Sequence, residues 1–307
     1  MSITVVGSVA FDAIKTPFGS VEKALGGAAT YFSVAASYFT PVRIVGVVGD
    51  DFGPEEMKIF QGRDIDISGI EKVAGAKTFF WRGEYGYDLN VAHTKETQLN
   101  VFADFKPKLG DAHRDPDVLF LANIDPDLQY DVLQQAGRPK LVALDTMNYW
   151  IESKKPSLEK LMRSIDLMLI NEAEVRQFSG EANLIKGAKA ILSYGLDTLV
   201  VKRGEYGVLM FHDDKVFAVP AYPLENVFDP TGAGDTFAGG FLGYLASRKH
   251  MTEVELRRAI IFGSVVASFN VEAFSLDKLG KISRAEIEAR YHAFRALTHF
   301  EDFELEA

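Results

Sequence analysis

The chain lacks cysteine, dense basic clusters and long apolar runs. Without cysteine, disulfide bonds and thiolate catalysis are excluded. Its 33 Lys and Arg against 43 Asp and Glu leave a net charge of −10, so nucleic acid is not expected as a main partner. No segment approaches the roughly 18 apolar residues of a membrane span. We therefore expect a cytoplasmic protein that binds neither a membrane nor nucleic acid.

Two common nucleotide-binding signatures are also missing. In the glycine pair Gly232 and Gly234, the pattern G-x-G-x-x-G ends at Phe237 instead of a third glycine, which argues against an NAD-linked oxidoreductase. Residues 75–78 (GAKT) lack the glycine that directly precedes lysine in a P-loop. The six histidines are scattered without metal-site spacing.

Short apolar runs alternate with helical segments along most of the chain, as at residues 3–6, 118–122 and 167–170. Such alternation predicts an α/β fold, with a mainly parallel central sheet covered by helices on both faces. Residues 76–102 differ, because aromatic, β-branched and polar residues mix there with turn residues. They predict antiparallel strands of a small separate sheet, together with residues near 10–18. The acidic residues 299–307 are expected to form a loosely held tail.

Residues 229–237 read DPTGAGDTF and carry the strongest functional signal. They follow a strand-like run and lead into a helical one. A helix start presents free N–H groups and the positive end of the helix dipole, so it favours an anion. Asp235 adds a carboxylate in the first turn. The same pattern is also an ordinary helix cap, so the motif alone does not decide between the two.

The string DPTGAGDTF resembles the C-terminal signature of the ribokinase-like (PfkB) family of carbohydrate and nucleoside kinases. Residues 7–12 (GSVAFD) and 26–29 (GGAA) are similar to the family's sugar-binding segments, and residues 171–174 (NEAE) to its N-x-x-E motif. The pieces match in order over about residues 3–275. The resemblance implies one ribokinase-like domain over residues 1–307, a three-layer α/β/α body whose β lid is formed by about residues 10–18 and 76–102.

The resemblance implies ATP-dependent transfer of a phosphoryl group to a hydroxyl of a sugar or sugar derivative. Asp235 would be the general base, and the loop 232–235 would supply the anion hole. The acceptor would be held by Asp12, with the glycine pair allowing close approach. The catalytic residues implied are Asp235, Gly232, Ala233 and Gly234, and the substrate-binding residues are Asp12, Gly26 and Gly27.

On the nucleotide side, the resemblance implies ATP with Mg²⁺, and K⁺ as a further cation. Glu174 would hold Mg²⁺ through water, and Asp229 would contribute to a monovalent-cation site. Asn171 followed by Glu174 also fits a helix capping box, which is the alternative for that motif. The nucleotide-binding residues implied are Asn171, Glu174, Lys202, Gly204, Gly207 and Thr231, with residues 264–270 as a candidate lining of the adenine pocket.

Three departures from the ribokinase pattern leave the acceptor open. Ala10 replaces an asparagine, and Ala28 and Tyr31 replace a lysine and an asparagine. Four aromatic residues suit either stacking on a sugar ring or nucleobase or plain packing: Tyr31, Phe79, Trp81 and Tyr85. An adenosine-like nucleoside kinase is therefore an alternative to a sugar kinase, and a non-catalytic sensor of the same fold is another. An exposed lid edge predicts a homodimer.

Overall fold

The computed structural model describes residues 1–301. The last six residues of the predicted acidic tail, 302–307, lie outside that range. The strands are β1 (Ile3–Val6), β2 (Ala10–Thr16), β3 (Gly19–Gly26), β4 (Val42–Gly49), β5 (Ile65–Val73), β6 (Phe79–Tyr85), β7 (Ala92–Gln98), β8 (Val118–Leu121), β9 (Leu141–Asp145), β10 (Leu167–Asn171), β11 (Thr198–Lys202), β12 (Val208–His212) and β13 (Lys215–Val219). The helices are α1 (Ala28–Ala36), α2 (Pro54–Met57), α3 (Asp111–Arg114), α4 (Pro126–Gln135), α5 (Asn148–Ser153), α6 (Lys155–Met162), α7 (Glu172–Ser179), α8 (Leu184–Leu192), α9 (Ala233–Ala246), α10 (Glu253–Asn270) and α11 (Arg284–Thr298).

Nine strands form the central sheet in the order β13-β12-β11-β10-β9-β8-β1-β4-β5. Every pairing from β11 through β5 is parallel, and only the pairings of β12 with its two neighbours are antiparallel. The chain starts at β1, runs outward to β4 and β5, and returns to the other side of β1 at β8. Ligands of open α/β sheets bind at such a reversal, in the crevice beyond the carboxyl ends of the strands. This region is called the crevice below.

Helices cover both faces of this sheet, and side chains of one strand alternate between two cores. Val118 and Phe120 of β8 pack with α1, α9, α10 and α11, whereas Leu119 and Leu121 pack with α4, α6, α7 and α8. A strand buried on both faces carries apolar residues throughout, as β8 does. The prediction of an α/β body with a mainly parallel sheet is confirmed.

A second, four-stranded sheet has the order β3-β2-β6-β7 and is called the small sheet below. Strands β6 and β7 are antiparallel, as predicted, but β2 and β6 pair in parallel. Strand β3 was not predicted, because half of its residues are exposed and its apolar residues show no regular alternation. Strand β7 lies at the edge, and each of its seven residues is exposed.

Other differences concern where helices end. The sequence pattern of residues 54–61, with proline and then two glutamates in the first turn, predicts a helix, but only the four-residue α2 forms. The one predicted for residues 151–163 is divided into α5 and α6 at Lys154, because Pro156 begins a new helix and cannot continue an old one. Within residues 1–301, none of the helices has the length and apolar character that crossing a membrane requires.

Candidate active site

Helix α9 is held in place by small residues that allow close packing. A Cβ added at Gly239 would meet the Phe32 carbonyl oxygen of α1 at 2.4 Å, and one at Gly243 would meet Ala36 at 2.8 Å. Gly240 packs in the same way against α10. Because helices flank α9 on both sides, the start of α9 has little freedom to shift.

The turn into α9 is made at Gly232, whose φ of 74° is the left-handed conformation that glycine adopts without strain. The Tyr31 ring lies against it, since a Cβ at this position would be 2.5 Å from three ring atoms. Tyr31 itself is fully buried, and its hydroxyl has no hydrogen-bond partner in residues 1–301. Contact with this aromatic ring therefore limits how closely the loop at Gly232 can approach α1.

The predicted anion loop has free donors, although not the same set as predicted. The N–H of Ala233 donates to the Pro230 carbonyl oxygen at 3.2 Å. In the part of the chain that the structure describes, the N–H groups of Gly232, Gly234 and Asp235 have no acceptor. Three unpaired donors at the N-terminus of a 14-residue helix can bind phosphoryl oxygens.

A buried network braces the loop from below. Asp229 is completely buried, and its Oδ1 and Oδ2 accept the N–H groups of Thr231 at 2.8 Å and Ser275 at 3.0 Å. The Asn270 amide donates to the Thr231 carbonyl oxygen at 2.8 Å, and the Thr231 hydroxyl donates to the Tyr85 hydroxyl at 3.2 Å. Thr231 and Asp229 thus link the loop to α10 and to the small sheet. Burial raises the pKa of Asp229.

Asp235 lies in the first turn of α9, partly open to the crevice. Desolvation, and then the negative charge of Asp145, raise its pKa to about 7, and the Lys202 ammonium opposes the shift. The Lys202 Nζ forms a buried ion pair with Asp145 Oδ2 at 2.8 Å. It also lies 3.2 Å from where a Cβ on Gly234 would be, so it borders the anion loop.

Asp145 was missed by the sequence analysis. It is the last residue of β9, and a carboxylate at the carboxyl end of a parallel strand was the signal that could have found it.

Asn171 and Glu174 form the complete capping box of α7. The Asn171 Oδ1 accepts the Glu174 N–H at 2.8 Å, and the Glu174 Oε2 accepts the Asn171 N–H at 2.9 Å. Glu174 is also buried near Lys202, and desolvation raises its pKa to about 7. The structure places both residues beside the crevice, and one Glu174 oxygen is left for a further partner.

Asp12 is only 5% exposed. Its carboxylate packs against the backbone of Gly26, where a Cβ would stand 2.0 Å from Oδ2. In residues 1–301, no group donates a hydrogen bond to this carboxylate, and desolvation, followed by the charges of Asp229 and Asp235, raises its pKa to about 8. Gly27, with φ of 92°, passes close to the Ser8 carbonyl. A buried carboxylate without a donor is suited to accept ligand hydroxyls.

A cavity of about 480 Å³ adjoins the anion loop, and Asp12 is not part of its lining. Lys202, Gly204, Gly207 and Ser264, expected at a nucleotide, all line it. Ala233 and Gly234 connect it to the loop. Asn171, Glu174 and Thr231 do not line this cavity.

The turn between β6 and β7 reaches the same cavity, a contact that was not predicted. Tyr87, Leu89 and Asn90 belong to its lining. The Asn90 Nδ2 donates to Glu205 Oε1 at 3.2 Å, and the Glu205 N–H approaches the Asn90 Oδ1 at 3.4 Å. The small sheet therefore touches both the crevice beside Asp12 and the cavity beside Lys202.

Comparison with known proteins decides the family. The model of the pfkB family carbohydrate kinases matches residues 2–278. The chain belongs to this family. As a pfkB family member it is a kinase, that is, a phosphotransferase, which confirms the sequence-based assignment.

The similar proteins include nucleoside and sugar kinases. The cytidine kinase of Thermococcus kodakarensis is 29% identical over 255 residues, which are 81% of this chain and 90% of that protein. The crystal structure of a nucleoside kinase from Methanocaldococcus jannaschii superimposes with a TM-score of 0.77 at 23% identity, covering 95% of this chain and 98% of that one. A ribokinase from Thermotoga maritima gives 0.75 at 22% identity, covering 95% and 99%. These likenesses confirm the ribokinase-like fold of this pfkB family member.

Proposed function

We propose that the chain transfers the γ-phosphoryl group of ATP to a hydroxyl of a sugar or nucleoside, with Asp235 as general base. The observation that carries the proposal is the pairing of three free N–H donors with a carboxylate of raised pKa in one helical turn. A base is most effective when its pKa lies near the operating pH. The kinase family and the adjoining cavity supply the reaction class and room for the nucleotide.

The acceptor would lie between Asp12 and Asp235. Asp12 would accept hydrogen bonds from hydroxyls that do not react and so orient the one that does. Asp235 would take the proton of the reacting hydroxyl, whose oxygen forms a bond to the γ-phosphorus. The bond between that phosphorus and the β–γ bridging oxygen breaks, and ADP leaves with the electron pair. The N–H groups of Gly232 and Gly234 would stabilise the charge on the transferring group.

The nucleotide would occupy the cavity beside Lys202, whose ammonium can reach the phosphates from its pair with Asp145. Lys202 places one positive charge beside three carboxyl groups, those of Asp145, Glu174 and Asp235. This excess of carboxylates suits Mg²⁺, which takes oxygen ligands, keeps several waters and is often held by one or two carboxylates plus phosphates. Glu174, through its remaining oxygen, would hold a water of the ion, which would neutralise phosphate charge. The predictions of Mg²⁺ and of K⁺ near Asp229 are part of the proposal.

The small sheet would act as a lid that excludes water from the transfer. The homodimer predicted from an exposed sheet edge, here strand β7, is also part of the proposal. Light scattering after size-exclusion chromatography would measure the mass of the assembly.

The test is ADP release from Mg·ATP across a panel of pentoses, hexoses and nucleosides. One acceptor should raise the rate far above background. Asp235→Asn should lower kcat by at least ~100-fold while ATP affinity stays within a few-fold, because the amide cannot accept the proton. Asp131→Asn, at an exposed position of α4, is the matched control. Near-normal turnover in D235N would rule out the base assignment.

A further inference from the structure

One face of the small sheet is turned toward the body. Tyr85 of β6 belongs to this face, because its hydroxyl accepts a hydrogen bond from Thr231 in the anion loop. Alternate residues of a strand share a face, so Trp81 and Gly83 lie on the same side as Tyr85. On the opposite side, Arg82 and Glu84 form exposed ion pairs.

The indole of Trp81 is folded flat along this face. A Cβ added at Gly83 would fall 1.9 Å from one ring atom and within 2.6 Å of two others, so only glycine leaves room for the ring there. The indole N–H donates to the Thr94 hydroxyl of β7 at 3.1 Å. One ring face is therefore covered by the sheet, the orientation is held by a hydrogen bond, and Trp81 remains partly exposed.

Trp81 also stands beside the residue proposed to hold the acceptor. Strands β2 and β6 are parallel, and Asp12 is in register with Trp81. Residues in register on neighbouring strands emerge on the same face about 5 Å apart. The ring then extends along β6 from Asp12 toward Tyr85.

We infer that Trp81 is a stacking platform for a nucleobase, so that the acceptor is a nucleoside rather than a free sugar. The inference rests on the proposed function, because it assumes that Asp12 holds sugar hydroxyls. A free pentose satisfies Asp12 and Asp235 but leaves the indole face without a partner. A nucleoside adds a planar ring next to the sugar, and stacking with an aromatic side chain suits every base. This predicts tolerance among bases together with discrimination against sugars without one.

Fluorescence tests the stacking directly, because the chain has only two tryptophans, Trp81 and Trp150. Trp150 lies in α5 and donates its indole N–H to Asn123. In Trp150→Phe the emission comes from Trp81 alone, and cytidine, adenosine or inosine added without ATP should quench it. Trp81→Phe leaves only Trp150 and should respond little. Equal quenching in both variants, or none in Trp150→Phe at nucleoside concentrations that saturate turnover, would overturn the inference.

Kinetics separate this inference from the proposed function. Trp81→Ala should raise KM for nucleosides at least ~10-fold with kcat nearly kept, since stacking holds the base in ground state and transition state alike. Trp81→Phe should retain most of the affinity, because it keeps an aromatic ring that can stack on the base. If wild type phosphorylates only sugars, the inference fails and the kinase proposal stands. If no acceptor on the panel supports ADP release, the kinase proposal fails while the fluorescence result still reports on stacking.

Discussion

Asp12→Asn should make the protein more stable at high pH while removing acceptor binding. Asp12 has a carboxyl pKa of about 8 instead of its usual 3.8, because it is buried near Asp229 and Asp235. Above pH 4 the unfolded chain has released this proton and the folded protein has not. The folded state therefore binds more protons, and the free energy of unfolding must fall as the pH rises toward 8.

The size of the effect follows from the shift. Each pH unit inside the window costs up to about 1.4 kcal/mol, so going from pH 5 to pH 8 lowers stability by at most about 4 kcal/mol. Water that enters the crevice as the charge forms reduces this, and we expect about 2 kcal/mol. For a chain of 307 residues that is about 3 °C in Tm, because the entropy of unfolding grows with chain length. Asparagine has no such proton, so the loss should disappear in the variant.

The assay is thermal unfolding of wild type and Asp12→Asn at pH 5 and at pH 8 without ligands. For each protein, the Tm at pH 8 is subtracted from the Tm at pH 5, and the two results are compared. The cost of any unsatisfied amide in the variant cancels in this comparison, because it contributes equally at both pH values. Asp131→Asn, an exposed change of the same chemistry, should give no pH-dependent difference. A Tm difference between Asp12→Asn and wild type that is the same at pH 5 and pH 8 would refute the reasoning.

Three further predictions concern the anion loop, the contact between Asn90 and Glu205, and the proposed base. Gly232→Ala should destabilise the protein by at least about 2 kcal/mol in urea unfolding and abolish ADP release. The added Cβ would meet the Tyr31 ring, and the alanine would have to adopt the left-handed backbone conformation of Gly232. Near-normal stability would contradict this. Asn90→Ala should raise KM for ATP several-fold with kcat nearly kept, since it removes the contact with Glu205 at the cavity; an unchanged KM would disprove the contact's role. Because Asp235 must be ionised to act and its pKa is raised to about 7, kcat/KM should rise with pH through about 7, and a flat profile from pH 6 to pH 8 would argue against it as base.

The sequence was informative where the chemistry is local. Residues 229–237 carry a turn glycine and a helix start within nine positions, so their geometry could be predicted from the residue types alone. The small residues of α9 are equally local, and they allow its close contacts with α1 and α10.

Other features depend on contacts between distant segments. Asn90 meets Glu205 across 115 positions, and no local pattern indicates such a pair. Asp145 ends a strand like any other. It becomes part of the site because Lys202, at the end of β11 two strands away, forms an ion pair with it. Strand β3 was missed because its apolar residues do not alternate regularly with polar ones, and this alternation is the pattern by which strands are recognised.

Three carboxyl groups in the crevice share one neighbouring cation. Lys202 faces Asp145, Glu174 and Asp235, and the pKa of each of these three carboxyl groups is raised. Taking a carboxylate out of water without a matching cation of its own is unfavourable, and this desolvation is the main cause of the raised pKa values. A divalent cation bound with the nucleotide would reduce that imbalance and so favour the ionised form of Asp235. Under the proposed function, the raised pKa values would couple activation of Asp235 to occupation of the nucleotide site without any change in the fold.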